Sequence, residues 1–454
     1  LLAACDGPKG PTAIAQQLTS TGRRIIGNGD LFQPRFTNGG PNSVLTVTGL
    51  DLSGFQTVFV LNAITIDYEV VSRSDTVLDQ ATGLPIEFQP DDDSFSGTPS
   101  QEGAFAAYVS MATNLLELRS TTFERRHVYL RDVFGEANAL ISVGVAPFSG
   151  NSTRVLIPEE QGSSSFPRAT NPEANDDSTS PVLSGNGRFV VFASWATNIV
   201  PLAKNGLSQI YVYDREIRSM ELITRVAMDS NVFPGNGDSL APFIATTGRF
   251  VIFQSDASNL IPNDTNNGRD IFIFDRTERT TARLNIDPAG TGTLFDPGPP
   301  VISEDGNIVV FSARPTPTGV RQIYVRDRAA GTTTLISKNV PGASGNDDSE
   351  SPALDQQGRF VVFQSEATNL VGGDTNGLTD VFAYDIWSDR IARISVNADS
   401  VQADGESFSP TISANGTLIA FVSRALNLVM PTQGEPFPPN RTADLYVFAN
   451  PLLP

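Results

Sequence analysis

The chain has 454 residues, of which 39% are hydrophobic and 28 are phenylalanine, and 50 acidic against 31 basic side chains give it a formal charge of −19. That charge would repel a phosphate backbone, which disfavours a nucleic-acid partner, and no apolar run reaches the ~18 residues of a membrane-spanning helix. One cysteine and one histidine exclude a disulfide within the chain and a zinc site built mainly from thiolates and imidazoles.

The first residues read Leu1-Leu2-Ala3-Ala4-Cys5. Leu-Ala-Ala-Cys resembles the bacterial lipobox, and the resemblance implies cleavage before Cys5, lipidation of its thiol and a signal peptide upstream. The alternative is an ordinary apolar segment with a stray cysteine. Gly7, Pro8, Gly10 and Pro11 then read as a tether, so residues 1–22 are taken as an anchor segment of an exported protein. Such a protein would be a periplasmic or cell-surface lipoprotein, or extracellular, and would meet the membrane only through its lipid.

Residues 23–83 read as β-structure. SVLTVTGL and ITIDYEVV alternate or cluster β-branched residues, but neither fits the repeat that follows. This region is expected to be a small N-terminal β appendage. Residues 84–89 (LPIEFQ) stand before Asp91-Asp92-Asp93-Ser94, where later repeats carry a fourth strand and then an acidic turn.

From there a unit recurs. A glycine precedes each strong apolar run: Gly103 (GAFAAYVS), Gly187 (GRFVVFAS), Gly248 (GRFVIFQS), Gly306 (GNIVVFSA), Gly358 (GRFVVFQS) and Gly416 (GTLIAFVS). After a first interval of 84 residues the spacing is 52–61. An aromatic-rich strand follows each, as in HVYLRD, QIYVYD, DIFIFD, QIYVRD, DVFAYD and DLYVFA. Four short strands per unit cannot bury their faces alone, and stacking the units into a ring solves this. The expected fold is therefore all-β, a six-bladed β-propeller over 84–454 preceded by the small β region. The last repeat stops after its third strand, so residues 84–89 are the candidate for closing the sixth blade, in cis or in a neighbouring chain. The 145–178 segment, rich in Gly, Ser, Pro and Asn, is a long excursion between the first two blades.

These motifs resemble a known family. SPxxSxxGRxVxF followed by SQIYVYDR is similar to the repeats of TolB-type, WD-repeat-like bacterial propellers. The ATNLVxxDTNGxxDVF variant resembles a subgroup of secreted and envelope proteins. The likeness spans residues 99–448 and implies a binding platform in the bacterial envelope.

Two polar elements recur at one end of the blades. Acidic turns precede the inner strands (Asp176-Asp177-Ser178, Asp238-Ser239, Asp347-Asp348-Ser349), and polar loops join the second and third strands. Strand reversal puts both on one face, giving an acidic face and a plain one. In two loops Asp264, Asn266 and Asp270, and Asp374, Asn376 and Asp380, follow Asp-x-Asn-x-x-x-Asp with a glycine. This resembles loops that wrap Ca²⁺, but it lacks a closing glutamate, and Asn and Asp also cap turns through their own backbone. Both readings stay open. The asparagines Asn114, Asn198, Asn259, Asn369 and Asn427 recur too often for active sites and are read as turn residues.

No Gly-x-Ser-x-Gly occurs and no hydrolase domain follows; His127, the sole histidine, has no marked serine partner. The chain is expected not to be an enzyme, with no catalytic residues and no cofactor besides calcium. It reads as a protein-binding or scaffold propeller that meets its partner on the acidic face. One alternative is a structural subunit of an extracellular assembly or filament that exchanges an N-terminal strand. Another is a carbohydrate-active or hydrolytic propeller enzyme, which would show a deep central pocket with paired acids.

Overall fold

The computed structural model describes residues 92–144, 173–429 and 443–453, apart from positions 101–102, 114, 117–124, 136, 204, 229–230, 265, 267 and 291. It also describes strands at 23–25, 32–36, 44–50, 56–62, 68–70, 77–78, 85–86 and 154–156. No helix occurs among these residues. The fold is a six-bladed β-propeller with an N-terminal β region, as the repeat predicts.

Blade five shows the unit. Ser349–Leu354, Phe360–Ser365, Asp380–Asp385 and Arg390–Arg393 pair antiparallel in chain order from the axis outward. Phe363 and Phe382 are cross-strand partners, and their rings stack at 5.8 Å. Every blade buries an equivalent pair: Tyr108–Tyr129, Phe192–Tyr211, Phe253–Phe272, Phe311–Tyr324 and Phe421–Tyr446. Each pair adds roughly 0.5–1.5 kcal/mol beyond its burial. The aromatic third strands of the sequence are thus the centre of each blade.

The anchor glycines join one blade to the next. A Cβ on Gly248 would lie 2.1 Å from the ring of Phe189 in the preceding blade, and its φ is +74°. Only glycine meets both demands. Arg276 stacks on the same phenylalanine at 4.5 Å and donates to the Gly248 carbonyl at 2.8 Å. Arg215 over Phe105 and Arg328 over Phe250 repeat the contact. The glycine-turn face, expected to be plain, is therefore studded with arginine–phenylalanine stacks.

At the opposite face the acidic turns act as straps. Asp177, Asp238 and Asp348 each accept a backbone N–H at the start of the preceding blade's third strand, from Arg126 (3.1 Å), Ser208 (2.7 Å) and Arg321 (2.6 Å). The serine beside each aspartate reaches the end of the second strand, as in Ser178–Ser194 and Ser349–Ser365.

The N-terminal sheet (Phe32–Phe36, Val44–Leu50, Gln56–Asn62, Tyr68–Val70) stands in the ring between blades six and one. Phe32–Phe36 touches the inner strands of both, Ser407–Ile412 and Ser94–Pro99. Gln56 N–H donates to Asp93 Oδ1 at 2.8 Å, the same strap that joins the other blades. Val58 is buried in the core it shares with blade one. The appendage is a wedge of the ring rather than a separate lobe.

Ring closure differs from the expectation. The outer place in blade six belongs to Arg23–Ile25, paired with Leu445, Tyr446 and Val447. Within residues 84–89, Pro85–Ile86 pairs instead with Val77–Leu78. The segment before the first sheet does the closing, because it emerges beside blade six while residues 84–89 lead into blade one. From the long excursion, Arg154–Leu156 adds a fifth, outer strand to blade two.

Candidate functional site

The inner strands converge on the axis, and five of the six-blade repeats are bulged there. Their registers shift between Phe95 and Thr98, Thr179 and Val182, Leu240 and Phe243, Glu350 and Ala353, and Phe408 and Thr411. In each bulge one non-glycine residue is left-handed: Ser96 (φ 58°), Ser180 (54°), Ala241 (46°), Ser351 (53°) and Ser409 (51°). Proline follows in four of them (Pro181, Pro242, Pro352, Pro410). Proline has no N–H to continue a ladder, so the strand is released from pairing where it faces the axis. Such backbone costs about 1–3 kcal/mol per residue and tends to gather where a molecule works. Blade four has Pro299-Pro300 at this level.

These residues line one axial cavity of about 380 Å³. Its wall is prolines, including Pro34 from the N-terminal sheet, with hydroxyls of Ser96, Thr98, Ser180, Ser351, Ser409 and Thr411. Val182, Phe243, Val301, Leu354 and Ile412 form the apolar part towards the glycine turns. Among the described residues lining it there is no carboxylate, amine, guanidinium or imidazole. Thr98 Oγ1 donates to the Pro181 carbonyl at 3.0 Å, and Ser409 N–H donates to Gln364 Oε1 at 2.8 Å. The cavity can hold an uncharged group by shape and a few hydrogen bonds; it does not supply paired acids.

The residues singled out for calcium lie away from the cavity, at the rim. The loops do bring them together, around an arginine. Arg283 Nη1 is 3.3 Å from both Asp264 Oδ1 and Asp270 Oδ2. Asn266 and Asn285 donate to Asp270 at 2.9 and 2.7 Å. In blade five Arg393 Nη1 is 3.3 Å from Asp374 and 3.2 Å from Asp380, while Asn376 donates to the Ala403 carbonyl at 3.1 Å. Burial pushes the carboxyls of Asp264, Asp374 and Asp380 above the usual range, with Asp270 adding to the effect on Asp264. No group of three His, Cys, Asp or Glu side chains placed for a metal occurs among the described residues. The sequence carried a signal for this arginine. Register places Arg283 and Arg393 where blades one, two and four have Leu140, Leu222 and Leu335 and blade six has Arg24, and in blades three and five that arginine meets the second aspartate brought by the loop.

Four of the recurrent asparagines, Asn198, Asn259, Asn369 and Asn427, are turn residues, as read, and Asn114 lies outside the described residues. Asn198, Asn259 and Asn369 donate to the carbonyls of Glu173, Pro234 and Ser344 and accept from the N–H groups of Asn175, Asn236 and Asn346. His127 has company that sequence reading missed: Ser142 Oγ at 3.3 Å and Glu173 at 3.7 Å. The arrangement looks like a hydrolytic triad but is the blade's own latch. Ser337 with Gln322 and Ser395 with Asp380 repeat it in blades four and five, and His127 and Ser142 are fully buried. Cys5 lies outside the described residues.

No family model matches the chain, and no curated protein does. Among solved structures it is similar to TolB from Acinetobacter baumannii, at 16% identity and a TM-score of 0.40 over 84% of this chain and 66% of that one. It is similar to the β-propeller domain of the Trilobed protease from Pyrococcus furiosus, at 10% identity and 0.48 over 87% and 91%. It is also similar to an oligogalacturonate lyase in complex with manganese, at 10% identity and 0.49 over 96% and 99%. These likenesses concern the fold, and TolB-type propellers are among them. They also correct one expectation. Propellers of a lyase and a protease stand beside TolB, so the fold gives no ground for the expectation that this chain is not an enzyme.

Proposed function

We propose that the chain is a binding propeller of the bacterial envelope or cell surface that takes an uncharged segment of a polypeptide partner into its axial cavity. The observation that carries this is the ring of five left-handed residues around a wall of proline and hydroxyl groups. Backbone held in that state before any ligand arrives is pre-organised, and pre-organisation is what turns a modest contact area into affinity. The rim around it mixes signs, with Arg269–Asp256, Arg321–Glu350 and Arg424–Glu406 as ion pairs. A partner would therefore meet paired charges among the acidic turns of this face. The lipobox-like Leu2-Ala3-Ala4-Cys5 supports export and anchoring.

The test is thermal unfolding in the presence of tetrapeptides of Pro, Ser, Leu and Tyr, either capped at both ends or with free charged termini, and of neutral pectic and glucan oligosaccharides. A ligand of the folded state at a hundred times its dissociation constant stabilises it by about 2.7 kcal/mol. Capped peptides should raise the midpoint and charged ones should not. A rise with oligosaccharides alone would overturn the reading in favour of a carbohydrate ligand.

A further inference from the structure

Four of the strands that line the cavity meet again just beyond it. Phe243, Val301, Leu354 and Ile412 belong to its wall; two or three residues further on stand Thr246, Glu304, Gln356 and Ala414. Gln356 touches all the others. Its Nε2 donates to Thr246 Oγ1 at 3.0 Å, its N–H donates to the Ala414 carbonyl at 3.0 Å, and its carbonyl accepts from Glu304 N–H at 2.9 Å. These partners sit in blades three, six and four, while Gln356 belongs to blade five. A side chain of blade five can reach blade three past blade four only by crossing close to the axis. The glycine at the same place in blade two, Gly185, and the alanine in blade six have no side chain long enough to do this.

We infer that the axial cavity is a pocket with one entrance, that Gln356 is its floor at the glycine-turn face, and that a ligand enters only from the loop face. The turn is well supported for that task. Asp355 is buried beneath it and accepts the N–H groups of Arg359 and Phe360, both at 2.7 Å, which fixes the turn that aims Gln356 at the axis. Closure at one end also decides what fits. A chain cannot thread through the ring, so the bound segment is a terminus or a protruding loop. This deepens the reading of the cavity as a ligand site, yet the floor can fail as a floor while the cavity still binds, and the experiment separates the two.

The full chain carrying Cys5→Ser and Ala353→Cys places a single thiol in the wall close to the floor. Its labelling is followed with methyl methanethiosulfonate and with a bulky dye-maleimide, in that background and with Gln356→Ala or Thr246→Val added. Both added substitutions should speed the bulky reagent by about fivefold or more, the factor that losing one hydrogen bond gives an opening equilibrium, and leave the small reagent's rate unchanged. Thr246→Val keeps the turn's backbone bonds and reports even if Gln356→Ala lowers the melting midpoint. Equal rates of bulky labelling with and without these substitutions would overturn the inference. Loss of the thermal shift by capped peptides with the floor shown intact would count against the ligand reading alone.

Discussion

Asp355 occupies a position that is serine in four other blades. Ser100, Ser184, Ser303 and Ser413 each accept one backbone N–H there. Burial pushes the Asp355 carboxyl up to about 6, against the pull of the N–H groups of Phe360 and Arg359. A folded-state value above the unfolded one means the native state holds the proton more tightly. Stability from this group is therefore present below the ordinary value of 3.8 and is lost as pH rises through about 6, by roughly 3 kcal/mol in all. Asp355→Ser should stabilise the protein by about 1–2 kcal/mol at pH 8 and do little at pH 4, read by denaturant unfolding at both. The opposite lesson holds at Arg393. Arg393→Leu strands Asp374 and Asp380 in the interior and should cost roughly 3–5 kcal/mol; adding Asp380→Gln, which copies Gln322 of blade four, should restore part of it. Since a guanidinium already faces each pair of carboxylates, the wild-type melting midpoint should be the same in calcium and in EDTA. A midpoint that rises with calcium would make Asp264, Asp270, Asp374 and Asp380 ligands.

Among elements, the blade was legible and its joints were not. Period, anchor glycine and aromatic third strand are local patterns, so one sequence shows them. The joints depend on what comes near in space. Nothing in the stretch around Phe189 announces that it lies against Gly248 of the next blade, or that Arg276 covers it. Gly248→Ala should therefore destabilise far more than Gly331→Ala, although both have positive φ, because a Cβ at Gly331 meets nothing within 4 Å. A comparison of the two melting midpoints checks this. The calcium resemblance turned on the same limit: the loop residues were visible, but the arginine beside them sits 13 residues beyond the loop's last aspartate. The closing strand was misplaced for a further reason. Three residues at Arg23–Ile25 have too little pattern to stand out, whereas residues 84–89 alternate and lie before an acidic turn. Removing residues 1–26 should expose the edge of Asp444–Ala449, and the shortened chain should self-associate with concentration in light scattering while the whole chain does not.

For the whole molecule, repeats alone suggest a ring of identical parts, and the structure shows how their differences make a site. Blade four has two prolines where its neighbours have a bulge, blade five sends Gln356 across the axis, and the N-terminal sheet contributes Pro34 to the wall. The cavity was invisible to sequence reading because no single repeat contains it. Only the Ser-Pro pairs of the inner strands hinted at it, and these passed as part of the repeat. The pairing of Arg23–Ile25 with Leu445–Val447 has a further consequence, for the time course of folding. Of the described strands, the one that locks the ring comes first in the chain and its mate last. Each blade can assemble from neighbours as it leaves the ribosome, but the lock has the largest sequence separation of any described strand pair, so its contact order makes it a slow, final event. Until then the ring stays an open arc. Any factor that protects the new chain would have most to do at that seam.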